Sequence, residues 1–264
     1  MFFRLANPVL VIVVTVVVAG TTAAGIALGR KLKSSHDEIR EPIGAVQAAL
    51  LGFVGLLLAF GLTMAVGRYE ARRAAIVTEA NAIGTAFLRA QTIAEPQRSE
   101  SIDLLRTYVA GRVHLTSVVT ETAAFDSAVA ATNAIQRSLW KLAGESLAAS
   151  EGAATRLYVE SLNTMFDAGT SREAAFHDRI PDTVVVLQIG GAALALGVLG
   201  LYLATLGRRV LTALLAAAMV ILILLVALDL DRPQRGFITV PSTPLQNVAA
   251  SMQLDPASPA PAGP

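Results

Sequence analysis

The sequence predicts an all-α membrane protein in which four transmembrane helices, arranged as two hairpins, flank a helical extramembrane block. Three observations carry this reading. Four charge-free apolar stretches are each long enough to cross a bilayer. Between the second and third, apolar side chains recur three and four residues apart, the helical period, and no alternating strand pattern occurs. Charged residues make up only 16% of the 264-residue chain, against about a quarter in soluble domains, and mean hydropathy is +0.58.

A helix rises about 1.5 Å per residue and needs about 20 apolar residues to cross some 30 Å of hydrocarbon. Pro8–Gly29 and Ile43–Gly67 meet that length, as do Thr183–Gly207 and Val210–Leu228. The first run follows Arg4 and resembles a secretion signal, but its apolar character continues through Ile26 to Leu28, beyond the usual apolar core of a signal, about 7–15 residues. It is therefore read as a retained span. The loop "RKLKSSHDEIRE" makes a hairpin of spans one and two, and "GRR" at 207–209 makes one of spans three and four. The first hairpin thus occupies residues 1–67, the block 68–182, the second hairpin 183–231 and a C-terminal tail 232–264. Both termini and the block must share one face of the membrane. Arg30, Lys31, Lys33, Arg40, Arg208 and Arg209 lie in the hairpin loops, and Arg4, Arg232 and Arg235 lie opposite. Adding the flanks of the block reverses that balance, so the positive-inside rule does not orient the chain.

Within the block, Ile76, Ala80, Ile83 and Phe87 form one helical stripe, and Ile102, Leu105 and Val109 a second. Leu157, Leu162, Met165 and Phe166 approximate a third, with Tyr158 beside it. Breaks are expected at Glu95-Pro96, near Thr116–Thr122, at Ser150–Gly152 and at "DAGTSR", 167–172. Pro96 suits a first helical turn, where its missing N–H costs little, and Pro181 marks entry to the third span. From Asp255 the tail reads "DPASPAPAGP", too rich in Pro and Ala to bury a core, and is expected to be disordered.

Composition excludes several function classes. A net charge of +1 without a basic stripe excludes nucleic acid as a partner. With no cysteine there is no thiol nucleophile, thiolate site or disulfide. His36, His114 and His177 are far apart, so no metal site is expected. No phosphate loop, nucleophile elbow or paired-carboxylate motif occurs. The chain is read as non-enzymatic, with no catalytic residue and no cofactor; its expected partners are the lipid bilayer and further copies of itself.

The second span carries the most information. Gly55, Ala59, Thr63 and Gly67 recur every four residues as a strip of small side chains, and Gly44, Ala48 and Gly52 form another. Such strips let helix backbones approach closely in lipid. One reading is bundle packing with Leu56 and Phe60 facing lipid. The other has Gly52, Gly55, Leu56, Ala59, Phe60 and Thr63 lining an apolar constriction between copies, which can gate by dewetting. "RYEARR" follows without a helix stop, so the helix is expected to continue past Gly67, with Arg68, Tyr69, Arg72 and Arg73 as a basic mouth that concentrates anions. Glu70 is placed to pair with Arg73 on the same helix. At the end of the fourth span, Asp229 and Asp231 are costly in hydrocarbon. Asp229 or Asp231 is expected to pair with Arg232 or with Arg68, Arg72 or Arg73 where the second span exits. Glu79 and Asn81, in "EANA", are the most conspicuous polar pair of the block and are expected to cap or bridge its helices.

Taken together, "GLLLAF", "RYEARR", "EANAIGTAFLRA", "LLRTYVAGR", "SLNTMFDA", "RIPDTV", "LDLDRPQRGFITV" and "PLQNVAASM" resemble the bestrophin-like domain family of bacterial membrane proteins, from Gly52 to Met252. That family is distantly similar to bestrophins, pentameric anion channels in which two transmembrane hairpins flank a cytosolic helical region. The resemblance implies a neck near Leu56 and Phe60, a basic-aromatic exit at Arg68 and Tyr69, and termini and block 68–182 in the cytoplasm of a bacterial inner membrane. It implies a homo-oligomer passing small anions; the alternative is a non-conducting membrane sensor or binding protein that uses the block. The sequence departs from bestrophins in having one phenylalanine in the neck region and no acidic calcium-binding cluster.

Overall fold

The computed structural model describes residues 7–32, 40–119, 122–207, 211–234 and 236–253. Arg4, the hairpin residues 33–39 and 208–210, Arg235 and the tail from 255 lie outside them. The described residues form eight helices: α1 (Asn7–Leu32), α2 (Arg40–Ala90), α3 (Gln97–Ser117), α4 (Ala123–Ala149), α5 (Ala153–His177), α6 (Asp182–Thr205), α7 (Leu211–Leu230) and α8 (Thr243–Ser251). Four helical stretches are long and apolar enough to cross a membrane: Pro8–Lys31, Pro42–Ala90, Ala153–Thr205 and Leu211–Leu230. Their apolar parts are α1, the first half of α2, α6 and α7.

The chain divides into two compact units, residues 1–69 with 179–239, and residues 70–178 with 240–264. In the first, α6 is the central helix: half of its most apolar window is buried, against 22% for α2. Leu10, Val14 and Val18 of α1, Val185, Ile189 and Leu196 of α6, and Leu224 and Leu228 of α7 share one core, which Val54, Leu58 and Ala65 of α2 also enter. Small residues bring α1 and α6 backbone to backbone. A side chain at Gly25 would overlap the Gly197 carbonyl, and one at Gly200 would lie 2.6 Å from the Thr22 carbonyl oxygen. This is how membrane helices associate when lipid supplies no hydrophobic drive.

The expected continuity of α2 holds: one helix of 51 residues runs through Gly67. Beyond Gly67 the chain supplies Ala, Arg and Glu, good helix formers, with no proline before Pro96.

In the second unit, Ile76, Ala80, Ile83 and Phe87 are buried as expected, together with Leu105, Tyr108, Val109, Tyr158, Leu162 and Met165. The breaks at 91–96, 118–122 and 150–152 occur where expected. The Thr122 hydroxyl caps α4 by accepting the Phe125 N–H at 3.2 Å. Two expectations are corrected. Leu157 is exposed and Tyr158 takes the core position instead. The break at 167–172 is absent, because α5 runs unbroken to His177. Gly169 is there for room, not for a turn: a Cβ would stand 3.1 Å from the Tyr108 hydroxyl and 3.4 Å from Glu79 Oε1. The tail also adds structure that the sequence reading lacked. α8 packs against α3, with Leu245 and Met252 buried and Arg106 Nε donating to the Met252 carbonyl at 3.0 Å.

Candidate functional site

α2 presents two faces. Val54, Leu58 and Ala65 are buried, and Gly61 lies against the side chain of Gln188. The other face carries the constriction candidates. Gly52, Gly55, Leu56, Ala59, Phe60 and Thr63 are all exposed in the single chain, Leu56 to 54% and Phe60 to 59%. A Cβ at Gly52, Gly55 or Gly67 would meet nothing within 4 Å. The strip Gly55–Gly67 is therefore not spent on packing within one chain. In the second strip Gly44 packs against Tyr202 while Gly52 is open. Thr63 satisfies its own hydroxyl by donating to the Ala59 carbonyl at 2.9 Å.

The expected basic mouth is more varied than its spacing suggested. Arg68 and Tyr69 are half-buried. Arg73 is exposed and pairs with Glu70 at 3.6 Å, one turn away as expected. Arg72 departs from the expectation: it is fully buried. Its Nε donates to the Ala175 carbonyl at 3.1 Å and its Nη2 to the Asp178 carbonyl at 2.6 Å. The last carbonyls of a helix lack intrahelical donors, and Arg72 supplies them for α5.

At the end of α7, Asp229 accepts the backbone N–H groups of Phe237 and Ile238, both at 2.8 Å. Backbone amides stabilise that carboxylate. Asp231 is fully buried and accepts the Ile180 N–H at 2.9 Å; Arg232 is buried as well.

Glu79 and Asn81 part company. Asn81 is exposed. Glu79 is fully buried and bridges two helices. Arg112 Nε of α3 donates to its Oε1 at 2.5 Å and Arg172 Nη1 of α5 to its Oε2 at 2.7 Å. Arg112 also donates to Glu173 at 2.6 Å and to the Gly169 carbonyl at 3.2 Å, while Gln136 donates to the Tyr108 hydroxyl. The Arg112 guanidinium lies 5.9 Å from the Tyr108 ring centre. Burial pulls the Arg112 pKa down, but Glu79, Tyr108 and Glu173 outweigh it and hold the pKa above the usual value. Burial also pushes the Tyr108 phenol up, against the pull of Arg112. Two arginines and two glutamates balance one another; Glu79, Arg112 and Arg172 are buried, while Glu173 is partly exposed.

Sequence reasoning missed Arg112, Arg172, Tyr108 and Gln188, and assigned Arg72 to the mouth rather than to the end of α5. A signal existed for three of them. The buried stripe Leu105–Tyr108–Val109 lands on Arg112 one turn later, and Leu162–Met165 leads to Arg172 at the same helical period. Charges on an apolar stripe call for partners.

The sequence matches the bestrophin-like domain model over residues 2–245. The chain belongs to the bestrophin-like domain family. Among solved structures, it is similar to a bacterial bestrophin homologue from Klebsiella pneumoniae, at 14% identity and a TM-score of 0.66, over 89% of this chain and 97% of that one. A crystal structure described only as a membrane protein is similar at 13% identity and a TM-score of 0.68, over 92% and 96%. At these identities the likeness is one of fold. No curated protein matches the sequence. Like the family, the chain is a membrane protein with several apolar helices.

Proposed function

We propose that the protein is a homo-oligomeric conduit for small anions in a bacterial inner membrane, with the Gly52–Thr63 face of α2 as its wall and Leu56 and Phe60 as its constriction. One observation carries the reading. α2 keeps one apolar face on its own chain and, among the described residues, leaves the other, with its small-residue strip, exposed. Family membership and the likeness to a bestrophin homologue support it. In this reading Arg68, Tyr69 and Arg73 enrich anions at the mouth, an effect screened beyond about 8–10 Å in physiological salt. Both termini and residues 70–178 face the cytoplasm.

The test joins the mass of the detergent-solubilised particle to chloride and bromide flux from liposomes. Several copies per particle with anion flux supports the reading. A monomer, or liposomes without flux, refutes it.

A second reading, a non-conducting sensor, is favoured by an open cleft of about 520 Å³ lined by Asn133, Gln136, Arg137, Trp140, Asn163 and Phe166. Trp140 is the only tryptophan in the chain and stacks edge-on with Phe166, ring centres 6.2 Å apart. Small carboxylates that quench Trp140 emission saturably, in a protein that passes no anions, would favour this reading.

A further inference from the structure

Gln188 is a buried polar side chain of α6 within the apolar core of the first unit, 5% exposed. Its Nε2 donates to the Leu57 carbonyl of α2 at 3.1 Å. In a regular helix that carbonyl already accepts the Gly61 N–H, so the amide adds a second donor to one oxygen. Gly61 makes this possible, because a Cβ there would overlap the Gln188 amide. The neighbouring contacts are apolar: the α carbon of Gly191 faces Val54 and Leu57. The segment Leu57–Gly61 is the back of the turn whose front carries Leu56 and Phe60.

We propose that Gln188 is a positioning residue for the constriction: its amide ties the α2 backbone to α6 and sets where Leu56 and Phe60 stand. The inference rests on reading α2 as the conduit wall. At Gly61 the α2 backbone meets the Gln188 side chain of α6, so a reaching side chain helps set their separation at this level. Hydrocarbon offers no water to replace the lost bond, yet hydrogen bonds of this kind are weak enough to break and reform. A tether of that strength can hold a wall without freezing it.

The experiment uses the full chain in liposomes with Gln188→Leu, Gln188→Met, Gly61→Ala and the double variant Gln188→Ala/Gly61→Ala. The expected result is that Gln188→Leu and Gln188→Met change chloride flux or the bromide-to-chloride ratio by about 3- to 20-fold, the factor matching one membrane hydrogen bond. Gly61→Ala, which displaces the amide, changes flux in the same direction and lowers thermal stability. The double variant regains the stability but not the flux, because the overlap is gone and the tether is too. A purely structural role would restore both together. If the wild type conducts and both single Gln188 variants match it within about twofold, less than one such bond implies, the tether is overturned and the conduit stands. If the wild type passes no anions, the conduit reading falls and takes the tether with it.

Discussion

Glu79→Gln is the sharpest test of how the second unit holds together. The substitution keeps size and shape but removes the charge that Arg112 and Arg172 both address, at 2.5 and 2.7 Å. All three side chains are 5% exposed or less, so solvent cannot replace what is lost. Removing one partner of a buried pair costs about 3–5 kcal/mol, because it strands a charge in a low-dielectric site. For a chain of this size each kcal/mol shifts Tm by about 2–4 °C, giving a loss of about 6–20 °C. The control is Glu173→Gln. Glu173 meets the same Arg112 at 2.6 Å but is 35% exposed, where screening leaves about 1 kcal/mol or less. The assay is thermal unfolding of the solubilised protein, with amide exchange over α3 and α5 to localise the loss. Exchange should rise in those helices before it rises in α1 or α6. Replacing the network whole, as Glu79→Leu/Arg112→Met/Arg172→Met, should recover most of the stability, since a buried ion cluster is often no better than a packed apolar one. Equal melting points for Glu79→Gln and Glu173→Gln would refute the reasoning.

Three further outcomes follow from the same geometry. Gly169→Ala should destabilise by about 1 kcal/mol, the better helix propensity failing to offset crowding against the Tyr108 hydroxyl and Glu79, as read by Tm. Tyr108 titrates above its unfolded pKa of about 10. The folded state therefore keeps this proton longer than the unfolded state does. Its contribution is intact below pH 10 and is lost as pH rises from there through the folded pKa, by up to about 1.4 kcal/mol per unit. Tyr108→Phe should flatten that part of an alkaline unfolding series. Gly25→Leu should block assembly of the first unit, seen as loss of folded protein in detergent, because its side chain would occupy the place of the Gly197 backbone.

The four spans were legible because hydrocarbon imposes a one-dimensional rule, length times apolarity, that sequence displays directly. Continuity of α2 was legible for the related reason that nothing in "GRYEARRAAI" stops a helix. The buried network was not. Glu79 and Arg172 lie 93 residues apart, and nothing in the sequence pairs one with the other. Gly169 misled because a glycine beside Asp, Thr and Ser has the composition of a turn, while its use here is to admit a guanidinium and a phenol. Arg72 misled in the opposite sense: heptad arithmetic placed it beside Arg68, but the last carbonyls of α5 drew it inward. Gln188 escaped notice because it carries no charge, although a lone amide among aliphatic neighbours in a span is itself a signal.

The glycine seam between α1 and α6 divides mechanical labour inside the first unit. Where main chain touches main chain, neither rod can slide or roll without collision, so these two behave as a stator. α2 meets α6 through side chains such as Gln188 against Gly61 and Tyr202 against Gly44, contacts that rearrange by rotamer hops. Displacement is therefore cheapest in the one rod that bears the exposed greasy turn.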